Sequence, residues 1–357
     1  MRYTKINYSF PAIIMMASLF LPACLAATPN CFEAEIYCAG LVTNLDPVSD
    51  KAFNQSAWEG MQQAKSKGLL DWVEYIESTD SRDYEKNIKV FAESGYDVII
   101  TVGESMGEST AGAASEYPDQ YFIGIDQYQT WSTDSDSGND LGNLTGLVFP
   151  EDQAGFLAGA LAALMTQTGK VGAVCASDSF PHVWRYGEGF RSGATYIEPS
   201  LDIEVVYHNE ASGGQTFNDP EWGASTTAGM IEAGTDIIFG VGDETGAGSI
   251  REASTRGAYA IGVDSDQYLL EPVAAPRLLT SAMKSITPAV INLLQIIREA
   301  ERGSVAFPAG NSYGEISLAP FHDLDAMVPD EVKVRLEEIK LMLQNGIMQT
   351  GVSPEKP

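Results

Sequence analysis

Short β-branched apolar runs alternate with longer stretches of helical periodicity along most of the chain. That alternation predicts parallel strands covered by helices, an α/β architecture. The strand candidates are 35–43, 72–76, 98–102, 121–125, 171–175, 203–207, 237–241, 260–263 and 278–283. The helix candidates are 53–66, 84–93, 109–114, 152–165, 186–197, 224–233, 246–255, 288–302 and 329–345. They fall into two groups that divide near Phe149-Pro150.

The two groups resemble each other. DVIITVG at 97–103 matches DIIFGVG at 236–242, and FIGID at 122–126 matches AIGVD at 260–264. An internal repeat of this kind predicts two similar doubly wound halves. Ligands of such sheets sit outside the carboxyl ends of the strands. Asp126 and Asp264 both stand at such ends, so facing halves would aim them into one gap. The plainer alternative is that each Asp caps its own turn.

Charge and turn chemistry narrow the ligand. The net charge is −28 over 357 residues, which argues against a nucleic-acid partner, whose phosphates need a basic surface. The strand-to-helix turns carry Glu104, Asp243 and Glu244 where a phosphate cradle would have none. No Walker A sequence is present, and Gly240-Val241-Gly242 is not completed as GxGxxG, so no nucleotide cofactor is expected. No metal site is expected either, because His182, His208 and His322 are scattered. Asp134, Asp136 and Asp140 lack the Gly and Glu of a calcium loop. GESMG at 103–107 matches the GxSxG pattern of serine hydrolases, with His322 downstream as a partner for Ser105. The repeat accounts for a Gly-rich turn there without catalysis, since GDETG occupies the matching position 242–246.

The amino terminus reads as an export signal. Arg2 and Lys5 precede an apolar run to Leu21, too short for a membrane span. Leu21-Pro22-Ala23-Cys24 resembles a lipobox, which predicts a signal peptide over 1–23 and a lipid anchor at Cys24. The alternative is ordinary cleavage near Ala26 or Ala27. Cys31 and Cys38 can pair in an exported chain, and Cys175 lies in an apolar strand.

The segment DKAFNQSAWEG at 50–60 resembles the signature of the basic membrane protein family, the substrate-binding lipoproteins of ABC importers. The likeness continues through EDQAGFLAG at 151–159, GFRSG at 189–193, FNDP at 217–220, IGVDSDQ at 261–267 and TSAMK at 280–284. It implies a type I periplasmic binding protein fold: two doubly wound parallel-sheet lobes joined by three crossovers. The expected lobes are 35–149 plus 284–313 and 150–283 plus 314–345, with crossings near 147–151, 269–283 and 314–318.

The resemblance also implies a function without chemistry. A nucleoside, with purine the favoured base, would be held between the lobes and delivered to an ABC permease outside the cytoplasm. The base would stack on Phe53 beside Asn54, with Phe217 opposite. Asp126 would take the base edge, Asp264 and Lys284 the ribose hydroxyls, and Gly242 a backbone contact. Asn44 stands where the family usually has Asp, and Ala52 replaces a usual Ser. Sugar, flavin or signalling-molecule receptors of the same fold are the alternatives, with a nucleoside hydrolase using Asp46 and Asp50 a more distant one.

Overall fold

Strands β1 (Cys38–Val42), β3 (Val98–Val102) and β5 (Leu144–Val148) are buried at every residue, as expected of sheets covered on both faces. The computed structural model describes residues 29–45, 47–49, 52–129, 141–209, 213–354 and 356. Cys24, residues 1–23, the Asp134–Asp140 loop, Asp46 and Asp50 lie outside the described residues.

The first sheet combines these strands with β2 (Trp72–Ile76), β4 (Tyr121–Ile125) and β11 (Gly310–Tyr313) in the order β11-β5-β4-β3-β1-β2. The second contains β6 (Lys170–Cys175), β7 (Asp202–Tyr207), β8 (Ile237–Val241), β9 (Tyr259–Asp264), β10 (Leu278–Lys284) and β12 (Ile316–Leu318), ordered β12-β10-β9-β8-β6-β7. The orders are the same, strand for strand, so the repeat read in the sequence is a repeat of topology. All pairings are parallel except β10 with β12.

The equivalence reaches individual backbone bonds. Tyr121 N donates to Asp97 O and Tyr259 N to Asp236 O, both at 2.9 Å. Gly103 and Gly242 close β3 and β8 with φ of +100° and +98°, a left-handed turn that disfavours a side chain.

Helices α1 (Phe53–Ser66), α2 (Tyr84–Glu93), α3 (Gly107–Glu116) and α8 (Ile286–Glu301) serve the first sheet. The second carries α4 (Glu151–Met165), α5 (Pro181–Ile197), α6 (Pro220–Glu232), α7 (Asp243–Thr255) and α9 (Asp330–Gln344). α4 and α5 meet backbone to backbone. A Cβ on Gly159 would stand 1.9 Å from Phe190 O, and one on Gly193 2.0 Å from Phe156 O.

Three segments join the sheets: Phe149-Pro150, Ser285 and Gly314-Glu315. The third is tied to the others' surroundings: Gly314 N donates to Val148 O, the residue before the first crossing, at 2.8 Å, and Ser285 N donates to Glu315 O at 2.9 Å. The middle crossing lies later than the 269–283 interval read from sequence, because β10 continues through Lys284. Lys284 is therefore the last residue of a second-sheet strand rather than the first of the return to the first lobe. Strands β5, β11 and β12 were not expected. Gly and Thr interrupt LTGLV, and the other two span only four and three residues. A 2.01 Å disulfide joins Cys31 to Cys38, and Cys175 is a buried free thiol.

Candidate ligand-binding site between the lobes

In each sheet the strand order reverses at one point, between β1 and β3 and between β6 and β8. The carboxyl ends flanking such a reversal leave a crevice. Four charged residues converge beside these ends. Lys284 Nζ lies 2.6 Å from Asp126 Oδ2, 3.1 Å from Glu151 Oε1 and 3.7 Å from Asp264 Oδ1. Asp126 directly follows β4 of the first lobe, whereas Glu151, Asp264 and Lys284 start α4 and end β9 and β10 of the second. The ammonium is 1% exposed. It lies over three rings, Phe53 at 5.0 Å, Tyr186 at 5.7 Å and Phe149 at 5.8 Å.

One lysine cannot neutralise three carboxylates. Burial opposes the charge on Lys284, but Asp126, Glu151 and Asp264 together hold its proton above the usual lysine range. Burial, aided by repulsion from Glu151, pushes Asp126 above the usual carboxylate range despite Lys284. Burial also disfavours charge on Glu151, yet Lys284, Arg185 and His182 outweigh it and lower its pKa. Arg185, 8% exposed, forms an ion pair with Glu151. Tyr186 Oη donates to Asp264 Oδ1 at 3.2 Å. Asp126 Oδ1 is buried without a hydrogen-bond partner, a costly state for a carboxylate oxygen and an acceptor suited to a donor from outside.

Asp126, expected at the base edge, and Asp264 with Lys284, expected at the ribose, come together in this geometry. Both carboxylates reach the Lys284 nitrogen, and the three residues make one polar end. Phe53, the first residue of α1, places its ring beside that end. Asn54 is fully buried and donates from Nδ2 to Asn44 Oδ1 at 2.7 Å, which fixes Asn44 close to Gly103. Phe217 meets Phe180 edge-on at 4.9 Å and stacks with His182 at 6.2 Å. His182 Nδ1 in turn lies 3.2 Å from Glu104 Oε2 of the first lobe. Gly242 accepts the Gly246 N–H at its carbonyl, and a Cβ there would stand 2.3 Å from Ala176 Cβ.

Sequence reasoning did not single out Glu151, Arg185, Tyr186 or His182 for this site. Glu151 begins the quoted EDQAGFLAG segment, but its partners come from distant strands. Ser105 Oγ lies 3.4 Å from Tyr84 Oη, while His322 Nε2 lies 2.8 Å from Asp266 Oδ2. Among the described residues no hydrogen bond joins Ser105 to a histidine, so the hydrolase pattern is not assembled. A separate cavity of about 560 Å³ lies between α5 and residues 348–353, and none of its lining residues belongs to the Lys284 cluster.

Comparison with known proteins gives the family and supports the fold. Residues 39–313 match the Bmp family, described as PnrA-like ABC transporter substrate-binding proteins. A CD4+ T-cell-stimulating antigen of Listeria monocytogenes is 28% identical, with 97% of each chain covered. The ABC transporter nucleoside-binding protein BmpA of Lactococcus lactis is 28% identical over 65% of each chain. Among solved structures, an ABC transporter solute-binding protein from Aeropyrum pernix aligns with a TM-score of 0.67 at 22% identity, covering 88% of this chain and 92% of its own. No helix among the described residues is long and apolar enough to cross a membrane. The chain belongs to the Bmp family of PnrA-like ABC transporter substrate-binding proteins.

Proposed function

We propose that the protein captures a nucleoside, with purine the favoured base, outside the cytoplasm and delivers it to an ABC permease. The observation that carries this is the polar end around Lys284, with Asp126 Oδ1 unpartnered and the Phe53 ring beside it. Buried carboxylate oxygens suit a vicinal diol, which donates two hydrogen bonds and brings no charge. Phosphorylated forms are disfavoured because the acids Glu104, Asp126, Glu151 and Asp264 outnumber the cations Lys284 and Arg185. The adjacent ring suits a planar base, whose stacking contributes about 0.5–1.5 kcal/mol per aromatic pair. The name of the Lactococcus lactis relative accords with this reading.

The protein binds and releases without catalysis in this proposal, and Cys24 carries the lipid anchor that keeps it at the membrane. Mass spectrometry of the small molecule retained on gentle purification, followed by calorimetry with adenosine, guanosine, inosine, ribose and glucose, tests the ligand. Binding of a sugar with no response to any nucleoside would defeat the nucleoside reading. Release of free base from inosine by purified protein would defeat the non-enzymatic one, as would stoichiometric labelling of Ser105 by a fluorophosphonate.

A further inference from the structure

The first turn of α5 reaches across to the opposite lobe at two points one turn apart. His182 Nδ1 lies 3.2 Å from Glu104 Oε2, and Glu104 follows the left-handed Gly103 at the end of β3. Three residues on, the Arg185 guanidinium lies 4.6 Å from the ring centroid of Tyr128, just past the end of β4. His182 also stacks with Phe217, at an interplanar angle of 29°. One imidazole therefore touches both the opposite lobe and the aromatic residue assigned to the ligand's far side.

The charges around it are unbalanced. The acids Glu104, Asp126, Glu151 and Asp264 of this junction outnumber the cations Arg185 and Lys284. A contact that gathers Glu104 against the second lobe therefore works against repulsion between acids of the two lobes.

We propose that His182 is a positioning residue for ligand capture: its Nδ1 holds Glu104 of the opposite lobe while its ring backs Phe217. This rests on the reading of the interlobe crevice as the ligand site. Removing either side of the pair breaks the contact between the lobes and lets Phe217 leave with the second lobe, so bound ligand is released faster.

The test uses the full mature chain. Stopped-flow displacement measures release of adenosine, guanosine and inosine, and small-angle scattering measures the radius of gyration without ligand. His182→Gln and Glu104→Gln are each expected to release ligand about two- to five-fold faster than wild type, the scale of a half-exposed polar pair. The double variant should release no faster than either single variant, because both changes remove the same contact. Glu104→Gln leaves the His182–Phe217 stack in place, which separates the clamp from any packing defect. Wild-type release rates in both single variants, or effects that add in the double variant, overturn the proposal. If no nucleoside binds, the ligand reading fails and scattering alone decides. A larger radius in Glu104→Gln than in wild type sustains the clamp, and an unchanged radius overturns it.

Discussion

Asp126 and Asp264 occupy equivalent positions after β4 and at the end of β9, both in the left-handed region at φ +57° and +65°, and both turn a carboxylate oxygen onto Lys284 Nζ. Left-handed backbone is uncommon for a residue other than glycine, although Asp and Asn tolerate it best. Its presence at the same place in both halves shows that the repeat extends to the acids of the site. The two halves deliver matching groups to one shared point.

Lys284 is the keystone of that arrangement. Lys284→Met should destabilise the protein by about 3–5 kcal/mol, because Asp126 would stay buried without its cation and Glu151 would keep only Arg185. Urea unfolding at pH 7 measures this. The same variant is expected to lose nucleoside binding in calorimetry, and a loss below 1 kcal/mol in stability would show that water replaces the ammonium.

Asp126 and Asp264 should separate ligand binding from stability. Each change to Asn removes a charge-assisted acceptor, so nucleoside affinity should fall by about 10- to 100-fold. Asp126→Asn should be better tolerated by the apo fold than Lys284→Met, since burial already disfavours the Asp126 charge. Phe53→Ala and Phe217→Ala should each weaken a purine nucleoside by about 0.5–1.5 kcal/mol beyond any loss of buried area. Ribose alone should respond much less to either.

Asp97 offers a pH test remote from the site. Burial raises its pKa to about 6 although Cys38 N donates to Oδ2 at 2.6 Å. Its folded value is raised above the unfolded one, so the folded state holds the proton more tightly. The stability linked to this group is greatest at acid pH and declines as the pH climbs from the ordinary carboxylate range through about 6. Asp97→Asn keeps an acceptor for Cys38 and should remove that decline, about 1 kcal/mol after allowing for partial exposure. Urea midpoints at pH 4.5 and 7.5, compared between the two proteins, read it. An unchanged difference between the midpoints contradicts the assignment.

The Cys31–Cys38 bond closes a short loop, with a sequence separation of 7. Chain-entropy arguments give such a loop about 2–3 kcal/mol. Cys31→Ser with Cys38→Ser should lower the melting temperature by several degrees, and dithiothreitol should do the same to the wild type but not to the double variant.

The sequence carried the fold well where hydrophobic runs were long. Nine helices read from periodicity correspond to α1–α9, with starts displaced most at α5, where Pro181 begins the helix five residues before the expected 186. Proline fits a first turn, so the apolar pattern that begins later was a poor guide to that boundary. The repeat located Asp126 and Asp264 because both end strands of matching sequence. Lys284, Phe53 and Asn54 came from resemblance rather than from pattern. Glu151, Arg185 and Tyr186 could not be found by period or spacing, since their partners lie on α4, α5, β9 and β10, which meet only after the second lobe has folded. The Ser105 pattern shows the converse hazard: a five-residue motif matched while its intended partner, His322, bonds to Asp266.

Gly155, Gly159, Gly189 and Gly193 bring α4 and α5 so near that no methyl group fits between their backbones. α4 begins one residue past the Phe149-Pro150 crossing, and α5 begins with His182 in its first turn. A swing at the crossing is thus carried by two helices with no compressible padding between them. A rotation at Glu151 would therefore move both helices as one girder, and with them the His182 contact to Glu104.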